Sequence, residues 1–177
     1  NRGASDYGVF ANKCWPAFEK YFGFVPCFVN SRLAARGIPV SCEVDIYGTL
    51  SEYMASCATL KPATILDINN TVPADMVKKE SKNLGGYGPT DLFMGFHCGN
   101  TASSCLAAPA MKHQLIMHRL MEPGKDPDIT RGTLEGRIRP GEITIFRLQS
   151  TADTRLKSYM AQGEVADVDP GSFGSIG

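Results

Sequence analysis

Two short apolar runs decide how this chain is read: Ile38-Pro39-Val40-Ser41-Cys42-Glu43-Val44-Asp45, and Ala63-Thr64-Ile65-Leu66-Asp67-Ile68-Asn69-Asn70. Each has the length and β-branched content of a buried strand, and in each a carboxylate follows the apolar residues. Taken as strands joined by a helix, the runs make a βαβ unit. They then deliver Glu43 and Asp67 to neighbouring strand ends, where open α/β sheets place their ligands.

The intervening residues support that reading. Asp45 is suited to N-cap a helix running to about Ala58, with Leu50, Tyr53, Met54 and Cys57 at i, i+3, i+4, i+7 as its expected buried face. Upstream, Pro26 opens a helical pattern that Gly37 stops, with Arg36 in the last turn. A short helix from Pro16 to about Phe22 follows an expected strand from Tyr7 to Cys14. Alternation of this kind argues for parallel βαβ units in the first third.

Past Thr90 the texture changes. Asp91 to His97 reads as a strand that runs into the polar loop His97-Cys98-Gly99-Asn100-Thr101. Residues 132–139 and 142–148 both alternate apolar with polar around Pro140-Gly141, a hairpin signal. Leu156 to Ala166, interrupted by Gln162-Gly163, reads as a further antiparallel pair. The expected fold class is therefore α/β, a parallel βαβ segment followed by a β-rich C-terminal domain with antiparallel strands.

Composition limits the functions open to it. The chain has 177 residues, 43% of them hydrophobic, with 18 basic and 18 acidic side chains and no net charge. It can bury a core, but carries no basic face for nucleic acid and no stretch approaching the roughly 20 apolar residues of a membrane span. Lys78-Lys79 beside Glu80 and Lys82 is an ordinary solvated cluster. The six cysteines follow no CxxC spacing, and Cys27, Cys42 and Cys57 sit in apolar runs as small hydrophobes, so a reducing cytoplasm is expected. The chain does not start with methionine and is expected to be a fragment.

Two carboxylates with an imidazole and waters suit a divalent cation such as Mn²⁺ better than a thiolate-loving metal. His97 is the candidate imidazole, although a capping or surface ion-pair role for a strand-end carboxylate is the plainer alternative. Asp45 reads as a cap. A Cys–His nucleophile at His97-Cys98 is disfavoured, because neighbours on an extended segment point to opposite faces. His113 and His118 are read as surface or core polar groups. The Gly85-Gly86-Tyr87-Gly88-Pro89 stretch lacks the Lys and helix start of a phosphate loop and is read as a flexible loop.

The chain resembles the L-fucose/D-arabinose isomerase superfamily. The resemblance is carried by Cys14-Trp15-Pro16, by Pro26-Cys27 through Asn30-Ser31-Arg32-Leu33, and by Gly37 through Gly48 around Glu43. It continues in Leu66-Asp67-Ile68-Asn69-Asn70, in Phe96-His97-Cys98-Gly99-Asn100 and in the Gly132 to Thr144 segment. It implies that Glu43 and Asp67, twenty-four positions apart, ligate Mn²⁺ or another divalent cation and take part in proton transfer. The superfamily's third ligand is a histidine near the C-terminus of the full enzyme, with no matching motif in this chain.

The implied activity is aldose–ketose isomerisation through a cis-enediol, on a small-molecule sugar, in a cytoplasmic homo-oligomer. Trp15, His97 and Asn100 would contact the substrate. The implied boundaries are 1–61 for the end of the middle α/β domain and 62–177 for most of the C-terminal domain, a portion expected to be inactive alone. The rival classes are a non-catalytic sugar-binding or regulatory module of the same fold and a Cys-dependent hydrolase.

Overall fold

The computed structural model describes residues 8–113 and 122–169. Strand β1 (Phe10–Ala11) leads through a π-helical turn (Cys14–Phe18) into helices α1 (Glu19–Phe22) and α2 (Cys27–Ala34). Strand β2 (Val40–Ser41) follows and pairs in parallel with β1, Phe10 opposite Val40 and Ala11 opposite Ser41. Helix α3 (Ile46–Thr59) packs beside this pair. The expected strands over 7–14 and 38–42 are thus two residues each, with Tyr7 outside the described residues.

The second part consists of antiparallel pairs. Strand β3 (Asp67–Asn69) pairs with β4 (Met94–Phe96), with helix α4 (Ala74–Glu80) between them in sequence. Strand β5 (Leu106–Lys112) pairs with β6 (Thr133–Ile138), and β7 (Gly141–Ser150) with β8 (Leu156–Val165). The fold class is mixed α/β, as the alternation and the C-terminal strand signals imply.

Local chemistry explains why α2 and α3 form where they do. Gly37, at φ 76°, closes α2: its N–H donates to Ala34 O, and Ile38 N–H to Leu33 O, the paired bonds of a Schellman ending. Asp45 caps α3 through Oδ1, which accepts from Gly48 N–H at 2.8 Å.

Four expectations are corrected. The parallel unit is β1–α2–β2 rather than β2–α3–β3, because β3 lies in a different, antiparallel pair and its three residues are exposed. The buried side of α3 is Gly48, Thr49, Ser51 and Glu52, while Met54 and Cys57 are exposed. The helix faces a polar interior, so apolar periodicity pointed the wrong way. Residues 132–139 and 142–148 are strands but not a hairpin. Pro140 has no N–H, a Pro-Gly link favours turns that splay strands, and Arg139 N–H donates to Cys105 O, keeping β6 on β5. Finally, β8 runs unbroken through Gln162 and Gly163, its Gly163 opposite Ile143.

Strand β5 carries a bulge between Ala107 and Ala110, with Ala108 at φ 45° and Pro109 at the unpaired position, where a missing N–H costs no ladder bond.

Candidate functional site

The turn that follows β2 carries Glu43. Val44 N–H donates to Asn12 O and Asp45 N–H to Cys42 O, forcing Glu43 and Val44 each to φ 59°. Two successive non-glycine residues in the left-handed region cost on the order of 1–2 kcal/mol each, so the surrounding structure must over-determine them. That structure is a buried polar network. Thr49 Oγ1 donates to Phe10 O at 2.7 Å and accepts from Ser41 N–H. Ser41 Oγ donates to Glu52 Oε2 at 3.0 Å, and Asn100 Nδ2 to Val40 O at 2.9 Å. Asn12 Nδ2 donates to Asn30 Oδ1, whose amide in turn reaches Cys42 Sγ.

Held this way, Glu43 is exposed and makes no hydrogen bond or ion pair among the described residues. Asp45, two positions on, is fully engaged. It caps α3 and takes a bidentate pair from Arg147 on β7, 2.6 and 2.9 Å. Partial burial opposes its charge, but the Arg147 and Gly48 bonds outweigh it and hold the carboxyl below the usual range. The capping role read for Asp45 is the one it has.

Asp67 opens β3 opposite Phe96, and His97 is the next residue after Phe96. His97 is half-buried, which alone would lower its pKa. The Cys98 thiol, then the negative charge of Cys98, Cys42 and Asp67, raise it to about 8. Its Nδ1 is buried without a hydrogen-bond partner. The expectation that His97 and Cys98 face apart is corrected: β4 stops at Phe96, and the chain turns through Gly99 at φ 94°, so the two side chains hydrogen-bond.

Sequence reading missed a thiol cluster. Cys27 shares hydrogen bonds with Cys42 and Cys98, which together with burial push its pKa up. Cys42, bonded by Cys14 and then Cys27, is pushed down. Cys98 is lowered by Cys27 and by His97, against its burial. All six cysteines are free thiols; Cys14, Cys27 and Cys42 are buried, and Cys57 is exposed rather than packed. No local motif announces the cluster, because its members come from four separate segments; only Cys27 and Cys42 carry a signal, their position in apolar runs.

Asn100 is 1% exposed and serves as a clamp on β2, away from solvent. The Trp15 side chain and His118 lie outside what the structure describes. His113 is a buried partner of Glu122, Nε2 to Oε2 at 3.0 Å, with Arg131 on the other carboxylate oxygen at 2.7 Å.

Glu43 and Asp67 are therefore two exposed oxygen donors on turns or strand ends, with a charged imidazole beside the second. A donor set of this kind suits a hard divalent cation. Among the described residues no group of three or more His, Cys, Asp or Glu is placed to hold a metal, so Glu43, Asp67 and His97 do not form one there. No helix among the described residues is long and apolar enough to cross a membrane.

A mixed α/β fold with exposed carboxylates does not by itself define a function, and sequence comparison narrows it. Residues 95–177 match the C-terminal domain of L-fucose isomerase. The chain is also similar to curated proteins named sulfoquinovose isomerase. It is 30% identical to that of Alkalicoccus urumqiensis over 89% of this chain and 30% of the relative. It is 28% identical to that of Clostridium sp. (strain MSTE9) over 93% and 32%, and 27% identical to that of Priestia megaterium over 94% and 32%. The chain spans about a third of the length of these relatives. No solved structure matches it significantly. The L-fucose isomerase match thus bears out the resemblance over residues 95–177, which include the His97 motif, and the isomerase relatives extend the likeness along most of the chain.

Proposed function

We propose that the longer protein containing this chain is a metal-dependent aldose–ketose isomerase, with residues 1–61 ending its middle α/β domain and 62–177 forming most of its C-terminal domain. The observation that carries the reading is Glu43. It is a carboxylate left without a protein partner on a strained turn, within a chain similar to isomerases. A divalent cation such as Mn²⁺, held by Glu43 and Asp67, would polarise the sugar carbonyl as a Lewis acid and acidify the neighbouring C–H.

Glu43 then moves the proton between C1 and C2 through a cis-enediol, acting as general base and acid in turn. His97, charged at neutral pH, presents a cation beside Asp67 toward sugar oxygens. Free thiols are compatible with a reducing, cytoplasmic setting, and a homo-oligomer of the full-length protein is part of the same proposal.

The test uses the full-length protein, stripped with chelator and reloaded with Mn²⁺, assayed for ketose formation from L-fucose, D-arabinose and sulfoquinovose. Turnover that vanishes on stripping and returns with the metal is expected on at least one aldose. Metal-loaded protein that binds sugar without converting any of them would overturn the catalytic reading in favour of a binding module.

A further inference from the structure

We propose that the cleft between the end of α2 and the β5–β6 pair binds a small oxyanion, the sulfonate or phosphate group of a compact organic molecule. The cleft has a volume of about 580 Å³, within the usual range for small-molecule sites. Its walls combine Arg32 and Arg36 with Ser103 and Ser104, over an apolar floor that includes Phe28 and Leu134.

The two arginines are what distinguish it. Arg32 lies in the last turn of α2 and Arg36 just past its end, in the turn that Gly37 closes, and both are exposed. Arg32 Nη1 touches only Ser103 Oγ, at 3.5 Å, and Arg36 makes no side-chain hydrogen bond among the described residues.

Neither has a carboxylate partner among those residues, whereas Arg131, Arg137, Arg147 and Arg155 each have one. Arg139, the remaining described arginine, donates to Leu106 O. The acid nearest in sequence to the floor, Glu135 beside Leu134, is taken by Lys112 at 3.0 Å. Two like charges on one wall repel until an anion lies between them. Planar guanidinium forks match the paired oxygens of a sulfonate or phosphate, and serine hydroxyls add donors. Phe28 and Leu134 give the organic body an apolar surface, so a bare ion fills only part of the cleft.

Neither Glu43 nor Asp67 lines this cleft, and the site is tested by binding. The full-length protein is titrated calorimetrically with inorganic sulfate and with inorganic phosphate, against chloride at matched ionic strength. Saturable binding by sulfate or phosphate is expected, weakened at least tenfold in Arg32→Gln/Arg36→Gln and unchanged in Arg155→Gln. Arg36→Gln alone, which removes no protein contact, keeps the test open if the double variant loses stability.

Heat indistinguishable from chloride, or a double variant that binds like the parent, would overturn the site. Competition by sulfate against a sulfonated aldose but not a neutral one would support the site as a substrate subsite. Phosphate binding that leaves both KM values unchanged would support it as a separate effector site. Binding is read without turnover, so inactivity on every sugar would leave this result standing.

Discussion

The amino-terminal layer, residues 8–60, and the β7–β8 ribbon differ in what holds them. In the layer, the buried side chains are largely polar or sulfur-bearing: Asn30, Ser31, Ser41, Thr49, Ser51 and Glu52, with Cys14, Cys27 and Cys42. Their hydrogen bonds join residues far apart in sequence, such as Asn100 to Val40 and Ser31 to Thr101. The ribbon is held by ten consecutive antiparallel partners around a short turn, and it leaves Leu156, Tyr159 and Met160 exposed. A regular ladder needs little from its side chains. The layer instead uses its side chains to fix a backbone that no ladder would produce, and Glu43 stands on that backbone.

The largest effect separating the two regions is expected at Glu43. In the full-length protein Glu43→Gln is nearly isosteric and removes no protein contact, so Tm should stay within about 1–2 °C for a surface change of this size. Turnover with Mn²⁺ should fall by roughly 10²–10⁴, the usual cost of losing a general base. Steady-state kinetics beside a melting curve reads both, and near-normal turnover would remove Glu43 from the chemistry.

Next comes Gly99, which sets the path of the His97 loop against β6. At φ 94° an alanine is strained, and its Cβ would lie 2.5 Å from Thr133 Cβ, itself buried. Strain and overpacking together predict a loss of about 2–5 kcal/mol for Gly99→Ala. Denaturant titration showing a loss under 0.5 kcal/mol would mean the loop is not seated as tightly as the layer requires.

Glu52 gives the layer a pH signature. Burial raises its pKa to about 7, against smaller lowering by the Ser41 hydroxyl and the Ile65 amide. The folded state therefore keeps a proton that the unfolded chain releases near pH 4.5. Stability falls as pH rises from about 4.5 to about 7, by on the order of 3 kcal/mol. His97, raised from 6.5 to about 8, adds a loss of the same sign over that higher window. Glu52→Gln should flatten the lower limb and leave the upper one, since the Ser41 hydroxyl can rotate to suit an amide. An unchanged slope between pH 5 and 7 would show that Glu52 is not the titrating group.

Much of this was legible where the cause is local. Asp45 as a cap, Gly37 as the end of α2 and the strand-to-loop switch at His97 all depend on a few neighbouring residues. Pairing and burial were not. The stripe of Leu50, Tyr53, Met54 and Cys57 has helical spacing, yet the interior against α3 is polar and takes Thr49 and Glu52. The alternation around Pro140-Gly141 marks two strands without saying which partner each will find. The left-handed turn at Glu43 is enforced by Asn12, which lies thirty-one residues earlier, and the thiol cluster by four separate segments. Such contacts leave no periodic trace.

The smallest expected effect lies where the two regions meet. Arg147 on β7 reaches Asp45 at the start of α3, and Leu148 N–H donates to Ser51 Oγ at 2.8 Å beside it. Asp45 serves two purposes at once, so Asp45→Ala should lose both the cap, about 1 kcal/mol, and the ion pair. Arg147→Ala should lose only the pair. That pair is bidentate but about one-third exposed, so solvent screening limits it to roughly 0.5–1 kcal/mol. A double-mutant cycle by urea denaturation isolates this coupling from the capping term. Because the folded carboxyl is held below its unfolded value, the coupling should be present above about pH 4 and fade as pH falls further. Coupling near zero at pH 7 would mean the ribbon is attached to the layer through other contacts, such as the Leu148 N–H bond to Ser51 Oγ, and that Asp45 acts on α3 alone.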